Sequence, residues 1–390
     1  MGVHQPASGI LFASTRTHMS APRAVEAPLN EPEPDLPMHC WRRAQGCSSF
    51  PDPGNVAIAV KTGATEAVEK IPMLMGTTLK CANNVMIFSD LEQNIAGYEI
   101  HDALADIPQS VMEGNSDFDF YHKLKDAQKY GQIAKMLRET HDPRISSDLA
   151  SWTLDKYKQL HILEKLYAAH PDKDWYMMID ADTYIVWPNL LTWITQLPDP
   201  TISKLYLGST ANVGEIKFAH GGSGILLSQA TMHEFAVVNK GVAASWDKPM
   251  HDECCGDYVI ALALKKMGIL LSPSWPTING EKPLTLPFGP THWCQPLVTM
   301  HHAQPNEMNL IANFELSRNT TRDPLTLAEL FDAMMLLRKP IPMQTVIRYA
   351  KTTRNAFNSH IPETNARSAT VYTLALQKNQ KMIPLIAAVG

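Results

Sequence analysis

The 390-residue sequence has few cysteines, little charge and no long apolar run. Its six cysteines stand at positions 40, 47, 81, 254, 255 and 294, with no Cys-x-x-Cys among them. That excludes a disulfide scaffold and a structural zinc site, and it leaves the pairing of the six open. No run of 18 apolar residues occurs, which excludes a transmembrane helix. The opening residues, Met1 to Ser14, are too few and too polar for a signal peptide. Taken literally, the chain is soluble, or an incomplete version of a longer protein. A net charge of −5 argues against a nucleic-acid-binding surface. Nucleotide-binding loops of the common kinds are also missing. At Gly221-Gly222-Ser223-Gly224 no Gly-Lys-Ser/Thr follows and the glycine spacing is wrong, so neither a Walker A loop nor a Rossmann fingerprint is present.

What is there is globular. Apolar residues make up 45% and charged residues 19%, enough for a large core. Residues 1–54 are rich in Pro, Ala, Ser and Glu without periodicity and read as a disordered arm or stem. Order is expected over 55–338. The segments 55–60 and 84–88 read as buried strands, and 91–120 as polar loop. Gly63 suits a tight strand-to-helix turn, with Thr65 as the cap of the helix that follows. An apolar stripe predicts a helix from Leu154 to about Ala169, ended by Pro171. Further strands are expected at 205–208, 269–271 and 297–300. Helices are expected from Pro188, from Gly256 to Lys266, and over 323–338, with Ser228 capping another. The tail 339–390 gives weak signals and reads as peripheral. Strands alternating with helices imply an α/β fold with a mainly parallel, Rossmann-like sheet flanked by helices.

The most informative segment is Trp175-Tyr-Met-Met-Ile-Asp180-Ala181-Asp182, an apolar strand ending in two carboxylates at i and i+2. Alternate side chains of an extended chain point the same way. Two carboxylates held that close repel, and one protonates unless a cation joins them. Oxygen ligands suit Mg²⁺ or Mn²⁺. A strand end carrying such a pair would grip a diphosphate, although Asp-x-Asp alone is also a common solvated turn.

Three other segments carry chemistry: His220-Gly-Gly-Ser-Gly224, Asp252-Glu253-Cys-Cys-Gly256-Asp257 and Thr299-Met-His301-His302. In open α/β sheets ligands gather at the carboxyl ends of strands. A histidine beside the two aspartates would favour Mn²⁺ over Mg²⁺. Neighbouring strand residues face opposite ways, so one of His301 and His302 is expected to face the metal. Asp257 begins a helix. It is either a favourable charge there or a general base, with its pKa lowered by the helix end. Cys254 and Cys255 have no base beside them, which disfavours a nucleophilic role.

Together these segments resemble the Fringe-like and core-1 β1,3-galactosyltransferase-like glycosyltransferases, especially the fungal branch of glycosyltransferase family 31. The matching pieces are Val60 to Glu66, Ile87 to Asp90, Trp152 to Lys156, Trp175 to Trp187, Ala219 to Gly224, Gly256 to Val259 and Thr299 to His302. They stand in the family's order and span about 55–316. The resemblance implies a GT-A fold, a UDP-sugar donor, Mn²⁺ (or Mg²⁺), inversion and a β1,3 linkage to a glycan or glycoprotein. It also implies a secretory, Golgi setting, whose enzymes carry a membrane anchor that this sequence does not show. By position, Asp180, Asp182 and His301 (His302 as fallback) would bind metal. Lys61, Thr62, Ser89, Asp90, Lys156, Asp180, Ala181, Gly221 and Gly222 would surround the donor. Asp257 would be the base. Gly256 departs from the family pattern, which has an acid there. A non-catalytic relative of the same fold and a Mg²⁺-dependent phosphohydrolase are the competing readings.

Overall fold

A computed structural model describes residue 47, residues 52–131 and 133, and residues 153–336 apart from 284, 287–291 and 319–322. The arm up to residue 46, the tail 339–390, Trp152 and Cys40 lie outside the described residues. The strands are β1 (Val56–Lys61), β2 (Val85–Ser89), β3 (Gln93–Ile95), β4 (Tyr98–Asp102), β5 (Trp175–Asp180) and β6 (Tyr184–Ile185). They continue with β7 (Tyr206–Gly208), β8 (Thr210–Val213), β9 (Ile216–Ala219), β10 (Ile225–Ser228), β11 (Leu271–Pro273) and β12 (Thr299–Met300). The longer helices are α1 (Ala67–Gly76), α2 (Asp119–Lys129), α3 (Lys158–Ala169), α4 (Trp187–Ile194), α5 (Gly256–Lys266), α6 (Pro305–Ser317) and α7 (Leu327–Leu336).

Every residue of β1 is buried, the mark of a strand covered on both faces. β1 lies at the middle of an eight-stranded sheet of order β11-β7-β10-β5-β1-β2-β4-β3. Its pairings with β2 and β5 are parallel, as is that of β2 with β4. β10 runs antiparallel between β5 and β7. One face of the sheet (Ala57, Ala59, Tyr176, Met178) packs on Leu160 and Leu163 of α3 and Val259 and Ile260 of α5. The other face (Val56, Ile58, Val60, Met177, Ile179) packs on Ile71 and Leu74 of α1, Leu190 of α4 and Met308 of α6. Burying each large aliphatic side chain of this kind contributes roughly 1.5–3 kcal/mol. The two layers therefore fix where β1 and β5 end, and they end together: Lys61 is the cross-strand partner of Asp180.

Several expectations are corrected. Residues 91–120 are not all loop. β4 extends the parallel sheet, and its partly exposed, polar residues show why such a strand escapes a search for apolar runs. Thr65 does not cap α1: the helix begins after Glu66 without a side-chain cap, and the Gly63 carbonyl takes the first N–H groups instead. Ser228 does cap its helix, its Oγ accepting from the Thr231 N–H. The strand near 270 forms two residues later, at Leu271–Pro273. Residues 153–155 are helical, but a turn at 156–157 separates them from α3. Cys47, assigned to the arm, is bonded to Cys81, so that part of the arm is tied to the turn after α1. Cys254 and Cys255 form a second disulfide, and Cys294 is a free, exposed thiol. Among the described residues no helix is long and apolar enough to cross a membrane.

Candidate active site

β5 delivers Asp180 at its last position, and a turn closed by the Thr183 N–H on the Asp180 carbonyl brings Asp182 back beside it. The histidines reach this point through a two-stranded sheet. β12 pairs antiparallel with β6, setting Met300 against Tyr184. The Ala303 N–H then donates to the Asp182 carbonyl, and the His301 N–H to the Glu281 carbonyl. His301 Nε2 ends 3.2 Å from Asp182 Oδ1 and 3.6 Å from Asp180 Oδ2.

Both histidines face the carboxylates, contrary to the alternation expected of a strand. β12 stops at Met300, and His302 adopts a left-handed conformation (φ 53°) that folds it back. Its ring stacks on His301, and its Nδ1 lies 3.6 Å from Asp182 Oδ2. Asp182, His301 and His302 each bring one ligand atom within 4.8 Å of the others. Asp180 Oδ1 is buried without a hydrogen-bond partner, though Lys61 Nζ stands 3.0 Å away. Carboxylate oxygen and imidazole nitrogen in this arrangement fit a divalent ion of the Mn²⁺ kind.

Two lysines complete the cluster. Lys61 Nζ bridges Asp180 and Asp155, at 3.0 and 2.6 Å. Lys70 of α1 reaches Asp182 Oδ2 at 3.2 Å and also pairs with Glu66. These cations alter the expected protonation. Burial works against ionisation of Asp180, but Lys61 and then His301 hold its carboxyl below the usual range. Burial opposes ionisation of Asp182 as well, and His301, His302 and Lys70 outweigh it. Neither carboxylate protonates, because the protein's own cations join them. His301 shows the other side of the same pairing. Burial alone would lower its pKa, yet the two aspartates hold it up at about 9.

Asp257 sits in the first turn of α5. Its Oδ2 accepts from the Gly221 N–H and its Oδ1 from the Tyr258 N–H, both at 2.9 Å. The expectation that the helix end lowers its pKa is overturned: burial raises it, and the two N–H bonds only partly offset this. Gly221 and Gly222 separate the two halves of the site. A Cβ on Gly222 would lie 2.1 Å from His301 Cε1, whereas one on Gly221 would lie 3.4 Å from Asp257. Gly256 has a steric reason as well. A Cβ there would lie 2.7 Å from the Lys156 carbonyl, so an acid at this position would collide with the chain before α3.

The remaining residues expected around the donor are held by the protein itself. The Ala181 N–H donates to the Lys61 carbonyl. The Thr62 carbonyl accepts from Lys158 Nζ. Ser89 Oγ is fully buried and bonded to Leu91. Asp90 pairs with Lys158 at 2.5 Å and accepts from the Ala64 N–H. Lys156, expected at the nucleotide, has its Nζ against Asp117 and the carbonyls of His251 and Glu253. Sequence reasoning missed Lys70, Asp155 and Lys158. The i,i+4 pair Glu66–Lys70 and the i,i+3 pair Asp155–Lys158 were the available signals.

A mainly parallel sheet whose strand β5 carries paired aspartates to histidines at its carboxyl edge is an α/β fold of the GT-A glycosyltransferase kind. The chain belongs to the Fringe-like family, whose model matches residues 52–333. No curated protein sequence matches it. Among solved structures it is similar to a glycosyltransferase involved in glycosylation of the major capsid of PBCV-1, at 10% identity and TM-score 0.35, covering 66% of this chain and 99% of that one. It is also similar to the galactosyltransferase LgtC in complex with donor and acceptor sugar analogues, at 11% identity and TM-score 0.33, covering 79% and 98%. A third is glycosyltransferase GlyE of Streptococcus pneumoniae TIGR4, at 11% identity and TM-score 0.30, covering 57% and 45%. Likenesses this distant add nothing to the family assignment.

Proposed function

We propose that this chain is an inverting, metal-dependent hexosyltransferase. It moves galactose, N-acetylglucosamine or glucose from a UDP-sugar to a hydroxyl of a glycan or glycoprotein, forming a β1,3 linkage. The observation that carries the reading is the site's division. Asp180, Asp182, His301 and His302 converge on one point, and Asp257 stands on the other side of the Gly221-Gly222 strip.

Asp182, His301 and His302, with Asp180 beside them, would hold Mn²⁺ or Mg²⁺. A bound ion there supplies Lewis-acid neutralisation of the departing diphosphate. Lys61 and Lys70 supply further positive charge to the same end of the donor. Gly221 and Gly222 leave room for a sugar to lie against backbone. Asp257 takes the proton from the acceptor hydroxyl as its oxygen bonds to the anomeric carbon. The anomeric C–O bond to phosphate breaks in the same displacement, and UDP leaves with the electron pair. A carboxylate with a raised pKa is a better base for this than an ordinary one. The Cys47–Cys81 disulfide suits an oxidising compartment, which supports a secretory, Golgi-like setting. The test is a screen of UDP-sugars with and without Mn²⁺, reading UDP release. Metal- and acceptor-dependent release from one sugar is expected. Phosphate release from simple phosphoesters would refute the reading.

A further inference from the structure

Residues 155–158 touch both halves of the site, though none of them faces it openly. Asp155 Oδ2 holds Lys61 Nζ at 2.6 Å, and its Oδ1 lies 3.2 Å from Lys158. Lys158, with 2% side-chain exposure, pairs in turn with Asp90 at 2.5 Å and donates to the Thr62 carbonyl at 3.0 Å. The result is a row of alternating charge, Asp90–Lys158–Asp155–Lys61–Asp180, buried at Asp90, Lys158 and Lys61 and partly exposed at Asp155 and Asp180, ending at the metal half.

Lys156 turns the other way. Its Nζ donates to the carbonyls of His251 and Glu253, at 3.0 and 3.3 Å, and pairs with Asp117 at 3.0 Å. Asp117 is fixed from a second side by the Tyr157 hydroxyl. The clamped carbonyls belong to the segment that runs through Cys254 and Cys255 to Gly256 and Asp257. Gly256 itself packs against the Lys156 carbonyl and the Gln159 side chain. At the turn 156–157, between the helical residues 153–155 and α3, Lys156 reaches the base half while Asp155 and Lys158 on either side of it serve the metal half.

We propose that this turn is a bracket holding the metal half and the base half in register, with Asp155 positioning Lys61 and Lys156 positioning Asp257. The proposal deepens the reading above and rests on it for its catalytic consequence. Asp155 shares Lys61 with Asp180, so Lys61 has a second anchor when a metal ion claims Asp180. Without Asp155, Lys61 falls wholly to Asp180 and competes with the ion. Lys156 fixes the backbone before Asp257, where displacement of the base by about 1 Å can cost on the order of 100-fold in rate.

The test compares Asp155→Asn, Lys156→Met and Lys156→Arg in the full chain. Asp155→Asn should weaken Mn²⁺ affinity on the order of tenfold, with a smaller loss of kcat at saturating Mn²⁺ because Lys61 is less well held. Lys156→Met should lower kcat and leave Mn²⁺-dependent UDP affinity unchanged, with Lys156→Arg restoring part of the rate. Amide hydrogen exchange supplies a readout independent of the reaction. Lys156→Met should speed exchange at 253–258 but not at 179–182, and Asp155→Asn should do the reverse. Matching losses of affinity and turnover in both variants, or equal loosening of both segments, would overturn the bracket. Separate exchange patterns in a protein that binds no UDP with Mn²⁺ would support the bracket and overturn the functional reading instead.

Discussion

The two halves of the site handle their carboxylates in opposite ways. Asp180 and Asp182 are surrounded by Lys61, Lys70, His301 and His302 and are held firmly ionised. Asp257 meets two backbone N–H groups, and burial pushes its pKa up. Environments that drive titratable groups apart assign them different work. A carboxylate held ionised suits a cation, whereas one with a raised pKa can accept a proton. The comparison also explains why adjacent glycines serve different ends. Gly222 lies under the His301 ring, and Gly221 lends its N–H to Asp257.

Four perturbations would break or sharpen this contrast. The largest effect is expected from Asp182→Ala, which should abolish Mn²⁺-dependent UDP binding; unchanged affinity by calorimetry would refute the metal assignment. Asp257→Asn should preserve that binding and lower transfer by roughly 10²–10⁴-fold. Wild-type turnover would remove Asp257 as the base. Gly222→Ala should push the His301 ring aside and weaken Mn²⁺ binding on the order of tenfold. Gly221→Ala, with its looser 3.4 Å contact, should do less to the metal and more to kcat. If the two glycine variants behave alike, the strip does not divide the site.

A further test concerns pH. His301 is protonated in the metal-free protein below about 9, and an imidazole must be neutral to bind a metal. Mn²⁺ affinity should therefore rise with pH up to about 9, by up to about tenfold per unit, with proton release seen as a buffer-dependent binding heat. The stability contribution has the opposite slope. The folded pKa of His301 lies above its ordinary 6.5. Its stabilisation of the metal-free fold is therefore fully present below 6.5 and is lost as pH rises through about 9. Thermal denaturation of wild type against His301→Gln across that range checks the sign.

The central strands and the aspartate pair were legible because buried parallel strands are continuous apolar runs that end abruptly at polar residues. β1, β2 and β5 form within a residue of their expected positions. β4 was not legible, because a strand with alternate polar residues looks like loop. The fold of His302 toward Asp182 depends on one left-handed residue, which no residue-type pattern announces in a histidine. α6 was missed despite a readable start: Gln304-Pro-Asn-Glu307 forms a capping box with proline in the first turn. The contacts of Lys156 with Asp117 and the carbonyls of His251 and Glu253 were not legible, because nearness in sequence to the site does not say which way a side chain turns. The raised pKa of Asp257 required knowing its burial, which here outweighs the helix end.

The most direct test of the account is a calorimetric titration of UDP into the wild-type chain with and without Mn²⁺. The account predicts binding that requires the ion and strengthens from pH 6 toward pH 9 as His301 gives up its proton. Equal affinity with and without Mn²⁺ across that range would contradict it.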